Sequence, residues 1–230
     1  MRKRPQAILF DIDGLLITTG GAGTRSWRWA FDRLYGIPAD IGEFTEAGMT
    51  DPVVGRLTFA GVIGREPSDE ELARVVSQYL LRLPEEVAHS SGYRVLDGVE
   101  ELLPRLCRDG FLLGITTGAI EAAAHIKLAR ADLNRFFAFG GYGSDSADRG
   151  ELTRKAIDRA GVILGSSLDT RRLLVLGDTP NDIAAAHATD AVAVGVASGR
   201  YSEAELREAG ADHVLGSPAE ALPGTVAESL

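Results

Sequence analysis

Five short apolar runs in the second half of the chain, each ending at glycine or a polar residue, constrain the fold most. They are "FLLGITT" (111–117), "FFAFG" (136–140), "LLVLGD" (173–178), "AVAVGVAS" (191–198) and "HVLG" (213–216). Helical patterns separate them. "GVEELLPRLCRDG" sets Val99, Leu102, Leu103 and Leu106 on one face and closes on Gly110, a C-terminal cap signal. With "AILF" near the start as a further strand, this alternation predicts crossover units and a parallel α/β sheet. Ligands of such sheets bind beyond the carboxyl ends of the strands.

Three of those ends carry chemistry. Asp11 and Asp13 stand directly behind Ile8, Leu9 and Phe10, and Gly14 follows them. Thr117 closes "FLLGITT", and "VLGDTPNDIAAA" places Asp178 and Asp182 behind another apolar run. Carboxylates rarely lie fully buried without partners, so the strands must end where the acids begin. Each residue alone has a plain explanation: Asp182 as the cap of the helix "IAAAHA", Thr117 as a turn residue before Gly118. Acids and a hydroxyl at successive strand ends are poorly explained that way. Four carboxylates brought to one sheet edge repel one another unless a cation neutralises them. Magnesium suits an all-oxygen set that also meets phosphate and water. Zinc is disfavoured, because one cysteine and the scattered His89, His125, His187 and His213 offer no ligand cluster.

Composition narrows the partners. A net charge of −9 over 230 residues lacks the positive footprint that a nucleic acid or an anionic membrane requires. An anionic substrate must therefore be drawn by a local cation. The lone Cys107 rules out an internal disulfide framework and suits the cytoplasm. The basic "MRKRP" start is followed by an apolar run that stops at Phe10, too short for a signal-peptide core. No window approaches a membrane span, so no membrane partner is expected. The oligomeric state is left open.

Residues 18–91 have another character, with helical patterns and no convincing strand. "TRSWRWAFDRLYG" spaces Trp27, Ala30, Phe31 and Leu34 along one helix face. "SDEELARVVSQYLLRLP" opens with a capping box, Ser68 to Glu71, and runs through Leu72, Val75, Val76, Tyr79, Leu80 and Leu83 until Pro84 stops it. This block, inserted after the first strand, is expected to form a helical domain over the active edge of the sheet. The core would comprise residues 1–17 and 92–230.

"DIDGL", "ITTG" and "GDTPND", in that order and spacing, resemble the first, second and fourth motifs of the haloacid dehalogenase superfamily. The segment from "LDGVEELL" to "DRGEL" resembles its phosphatase-like branch. The resemblance implies a Rossmann-like parallel core with a helical cap, and magnesium-dependent hydrolysis of a small phosphorylated metabolite. It implies that Asp11 is the nucleophile and Asp13 the general acid and base. Asp11, the backbone carbonyl of Asp13, and Asp178 would hold magnesium, with Asp182 as a ligand or just outside. Thr117 would offer its hydroxyl, and Gly118 its amide, to phosphate oxygens. Thr50 and Asp51 in "EAGMTDP" occupy the place of substrate-selecting residues; a helix start is the plain alternative. "GGAGTRSW" reads as a hinge more readily than as an anion site.

Two departures from the family pattern stand out. Leu15 replaces the threonine usual after the first glycine, and the third-motif lysine–proline pair is absent. Two cations compete for the missing lysine's role. Arg149 has the right place along the chain, whereas Lys127 has the right side-chain chemistry but sits inside the preceding helix. A dehalogenase, a phosphonate hydrolase, a sugar-phosphate mutase, and a phosphorylatable switch or silent binding module are the rival readings. Asp13 and Asp178 count against the dehalogenase.

Overall fold

A computed structural model describes residues 5–225; the basic residues 2–4 lie outside that range. Strand β1 (Ala7–Phe10) is followed by β2 (Ile17–Thr19), then helices α1 (Ala22–Tyr35), α2 (Asp51–Ile63) and α3 (Asp69–His89). The chain continues through β3 (Tyr93–Val95), α4 (Val99–Arg108), β4 (Leu112–Thr117), α5 (Glu121–Ala129) and β5 (Phe139–Tyr142). It ends with α6 (Arg149–Leu164), β6 (Leu173–Gly177), α7 (Pro180–His187), β7 (Val192–Val196), α8 (Glu203–Glu208) and β8 (His213–Leu215).

Six strands form one parallel sheet in the order β5-β4-β1-β6-β7-β8. The expected doubly wound α/β core is therefore observed. Strand β1 lies in the interior, between β4 and β6, and all four of its residues are buried. Side chains of a strand alternate between its faces. Ile8 and Phe10 accordingly join the core that contains Val99, Leu103 and Ala124 of α4 and α5. Ala7 and Leu9 join the opposite core, with Ala156, Ile183 and Leu206 of α6, α7 and α8. A strand covered on both faces must be apolar throughout, which is why "AILF" does not alternate.

The helical insertion packs around an aromatic stack that is continuous with the core on the Ile8 and Phe10 face of the sheet. Trp27 of α1 stacks on Tyr79 of α3, with ring centroids 4.4 Å apart and planes 12° from parallel. Phe31, Val75 and Leu83 are buried around them. The capping box predicted at Ser68 forms, with Glu71 returning its carboxylate to the Ser68 amide at 2.8 Å.

Three local expectations are corrected. Pro84 does not stop α3, which runs on to His89. Leu83 and Val87, one turn apart, are both buried, and Arg130 Nη1 donates to the carbonyls of Val87 and Ser90 at the helix end. Tertiary packing thus outweighs the roughly 3 kcal/mol that an interior proline costs. The third strand lies at Phe139–Tyr142 rather than 136–140, because pairing to Gly114–Thr117 of β4 sets its register, and Phe136 falls in a 3₁₀ turn. Thr18 and Thr19 are not part of a strandless block: with Ile17 they pair antiparallel with Tyr93–Val95. This two-stranded ribbon brackets the insertion at its entry and exit.

Candidate active site

The site is assembled at the carboxyl ends of β1, β4 and β6. Asp11 immediately follows β1, and its amide donates to the Leu176 carbonyl at 2.9 Å, carrying the β1–β6 pairing one residue further. Asp178 follows β6. Asp182 lies on the first turn of α7, where Thr179 caps the helix. Asp182 is therefore the third residue of a Thr179–Asp182 capping box and not the cap itself; Thr179 Oγ1 donates to Asp182 Oδ2 at 2.6 Å. The T-x-x-D pattern in "GDTPND" carried that signal.

Among the described residues, Asp11, Asp178 and Asp182 each bring a carboxylate oxygen within 4.8 Å of the others, and all three are buried. Asp13 does not join them, contrary to the expectation of four carboxylates at one edge. Its side chain, 43% exposed, turns to Lys127, whose Nζ donates to Asp13 Oδ2 at 2.5 Å.

Arg149, the first residue of α6, is the cation inside the cluster. Its Nη2 donates to Asp182 Oδ1 and lies 3.5 Å from Asp11 Oδ1, in ion-pair range but without a hydrogen bond. Its Nη1 donates to the Gly48 carbonyl of the insertion at 3.2 Å. Arg149 does not pair with Asp148, which caps α6 by accepting from the Glu151 amide, and Lys127 is buried rather than on a solvated helix face.

Burial dominates the electrostatics. It pushes the Asp11 carboxyl up to about 7, with Asp182 adding to the rise and Arg149 opposing it. It pushes Asp178 up to about 8, helped by Asp11 and Asp182. Burial alone would lower the Lys127 ammonium, but Asp13, Tyr79 and Asp51 outweigh it and hold the group above its ordinary value. Asp51, buried near Lys127, is raised by desolvation against the pull of that ammonium.

The cluster fits a divalent cation. Asp11 Oδ1 and Asp178 Oδ1 are buried without a hydrogen-bond partner, a costly state that a cation relieves. Asp182 is instead committed, one oxygen to Arg149 and the other to Thr179. Asp178 is also closely held. A Cβ on Gly14 would stand 2.3 Å, and one on Gly199 1.7 Å, from Asp178 Oδ2, so two bare backbones shape its seat. Ser198 Oγ donates to the Gly14 carbonyl at 2.7 Å and ties these two loops together. Nothing in the sequence pattern marked Ser198 or Gly199, because their proximity to Asp178 arises only from the pairing of β6 with β7.

The remaining candidates fall between core and insertion. Thr117, at the end of β4, is buried, and its hydroxyl accepts from the Ala119 amide at 3.3 Å. The Gly118 carbonyl accepts from the Asp51 amide at 2.8 Å. Thr50 and Asp51 do begin a helix, α2, and their side chains also grip the core. Thr50 Oγ1 donates to Ala147 O at 3.1 Å, and Asp51 Oδ2 accepts from the Ile120 amide at 2.9 Å. The insertion is thereby seated directly over the strand ends.

Residues 5–190 match the sequence profile of the haloacid dehalogenase-like hydrolases. The chain belongs to that family. Among relatives of this hydrolase, a phosphoglycolate phosphatase of Agrobacterium fabrum is 27% identical over 97% of the chain and 94% of its own length. A 5'-nucleotidase of Pseudomonas aeruginosa is 30% identical over 87% of the chain and 86% of its own length. A crystal structure of a hydrolase from Pseudomonas syringae superposes with a TM-score of 0.70 at 25% identity, covering 93% of this chain and 94% of that one. No helix among the described residues of the hydrolase is long and apolar enough to cross a membrane.

Proposed function

We propose that this hydrolase cleaves small phosphate monoesters by way of a phosphorylated Asp11, with magnesium as its cofactor, in the cytoplasm. The observation that carries the reading is the pair of buried oxygens without hydrogen bonds on Asp11 and Asp178, at the ends of adjacent strands with Arg149 beside them. Relatives named as phosphatase and nucleotidase support the substrate class.

Asp11, Asp178 and the Asp13 backbone carbonyl would hold Mg2+, with Asp182 keeping Arg149 in place behind them. The ion supplies charge neutralisation for the transferring phosphoryl group and keeps the Asp11 carboxylate ionised. Asp11 attacks phosphorus with one carboxylate oxygen as the bond to the leaving oxygen breaks, giving an acyl phosphate. Arg149 offsets negative charge on the nucleophile and the phosphoryl oxygens. The Thr117 hydroxyl and the Gly118 amide donate to those oxygens. Asp13, outside the cluster, gives its proton to the leaving oxygen and later takes one from the water that attacks the phosphorus of the intermediate. Thr50 and Asp51 bear on substrate choice by fixing the insertion that encloses the leaving group.

A panel of phosphorylated metabolites assayed with magnesium, and again with excess chelator, tests this reading. Phosphate release should require the metal and return when magnesium is restored. Full activity in chelator, above all with halide released from a haloacid, contradicts it. A sugar phosphate isomerised without phosphate release would instead assign the same chemistry to a mutase.

A further inference from the structure

Lys127 has no part in the scheme above, yet it is a buried ammonium paired with the residue assigned to proton transfer. Its side chain is 8% exposed and its Nζ lies 2.5 Å from Asp13 Oδ2. Desolvating an ammonium is expensive, so a chain retains one in such a place only with firm partners. The surroundings of Lys127 come from both parts of the molecule. Helix α5 packs on helix α3 of the insertion, and Asp51 and Tyr79 of the insertion act on the ammonium electrostatically. The backbone carbonyl of Lys127 accepts from Tyr93 Oη at 2.9 Å, on the strand by which the chain returns from the insertion. Immediately before α5, the Ile120 amide donates to Asp51 Oδ2.

We propose that Lys127 is a positioning residue that fixes the Asp13 carboxylate for proton transfer, and that the seated insertion gives it its hold. The proposal rests on the hydrolytic reading of the site. Asp13 is half-exposed and would otherwise turn freely; the ammonium engages Oδ2 and leaves Oδ1 for the reaction. When Asp13 transfers its proton, its O–H bond breaks, the leaving oxygen gains the proton, and a carboxylate remains beside the ammonium, which stabilises it. That carboxylate then accepts the proton of the attacking water. With the insertion lifted away the pair would stand in water, where such a contact contributes little.

The test compares Lys127→Met and Lys127→Arg, each alone and combined with Asp13→Asn, on p-nitrophenyl phosphate and on glycerol phosphate with magnesium. Lys127→Met should lower kcat on the alkyl ester roughly 10–100-fold, a share of what general acid catalysis contributes. KM should hardly move, and the aryl ester, whose leaving group needs little protonation, should lose only a few-fold. Lys127→Arg should recover most of the loss, and Lys127→Met should add nothing in the Asp13→Asn background. Equal losses on both esters, a raised KM, or losses that add to those of Asp13→Asn overturn the proposal. If Lys127→Met fails to fold, Lys127→Gln carries the same comparison: a loss greater on the alkyl ester than on the aryl ester upholds the assignment, and equal losses or none overturn it. Wild-type protein that releases no phosphate from any ester refutes the hydrolytic reading itself, a result distinct from every mutant pattern above.

Discussion

Arg149 and Lys127, the two cations that competed for the third-motif position, lie in different places, and only Arg149 stands beside Asp11 and Asp182. Position along the chain favoured Arg149 and side-chain chemistry favoured Lys127, and the two readings could not be separated from the sequence. In the folded chain the two cations serve different acids: Arg149 meets Asp11 and Asp182, whereas Lys127 meets Asp13. Arg149→Ala should therefore reduce turnover about 10²–10³-fold for aryl and alkyl esters alike, as expected for a contact to the transferring charge. Uniform loss in Arg149→Ala against leaving-group-dependent loss in Lys127→Met, measured in one assay, separates the two roles. A second prediction concerns the seat of Asp178. Gly199→Ala would press a methyl group against Asp178 Oδ2, so magnesium affinity should fall roughly 10–100-fold, the usual effect of disturbing a ligand's support. The magnesium concentration for half-maximal activity reads this directly, and an unchanged value contradicts it.

At the scale of elements, the sheet was legible, including its edge strand β8, and the bounds of the other edge strand, β5, were not. "AILF" and "LLVLG" are free of polar side chains because both faces of β1 and β6 are covered, a signal contained in the residues themselves. The placement of β5 depended on pairing with Gly114–Thr117 of β4, which no local pattern encodes. The continuation of α3 past Pro84 likewise depended on Leu83 and Val87 being buried and on Arg130 at the helix end, contacts made by distant chain. Asp11 and Asp178 were visible because each sits one residue beyond an apolar run. The seat of Asp178 on Gly14 and Gly199 was not, because it joins loops about 180 residues apart. The insertion offers a stability test at this scale. Trp27 is fully buried against Tyr79, and Trp27→Ala should cost roughly 3–5 kcal/mol, read from urea unfolding. A loss below 1 kcal/mol would contradict the central place given to that stack.

Over the whole molecule, the buried acids link stability to pH and metal. Asp11 and Asp178 have folded values of about 7 and about 8, raised from an ordinary 3.8, so the metal-free folded protein holds protons that the unfolded chain has released. Their contribution to stability is full below about 4 and is lost as pH rises through about 7 to 8. Chelated protein should thus melt at a lower temperature at pH 8.5 than at pH 5.5 (roughly the two ends of that window), and magnesium should raise Tm more at the higher pH. Equal magnesium shifts at both values would contradict a metal held by these carboxylates.

The same carboxylates underlie the central claim, that Asp11 carries the phosphoryl group, and intact-mass measurement on Asp13→Asn tests it most directly. Mixed with magnesium and p-nitrophenyl phosphate and quenched in acid, that variant should release up to one equivalent of nitrophenol quickly. It should then gain the mass of one phosphoryl group, located on Asp11 by peptide mapping. Asp11→Asn should show neither adduct nor turnover. Steady turnover by Asp11→Asn, or a phosphoryl group found on any other residue, would contradict the account.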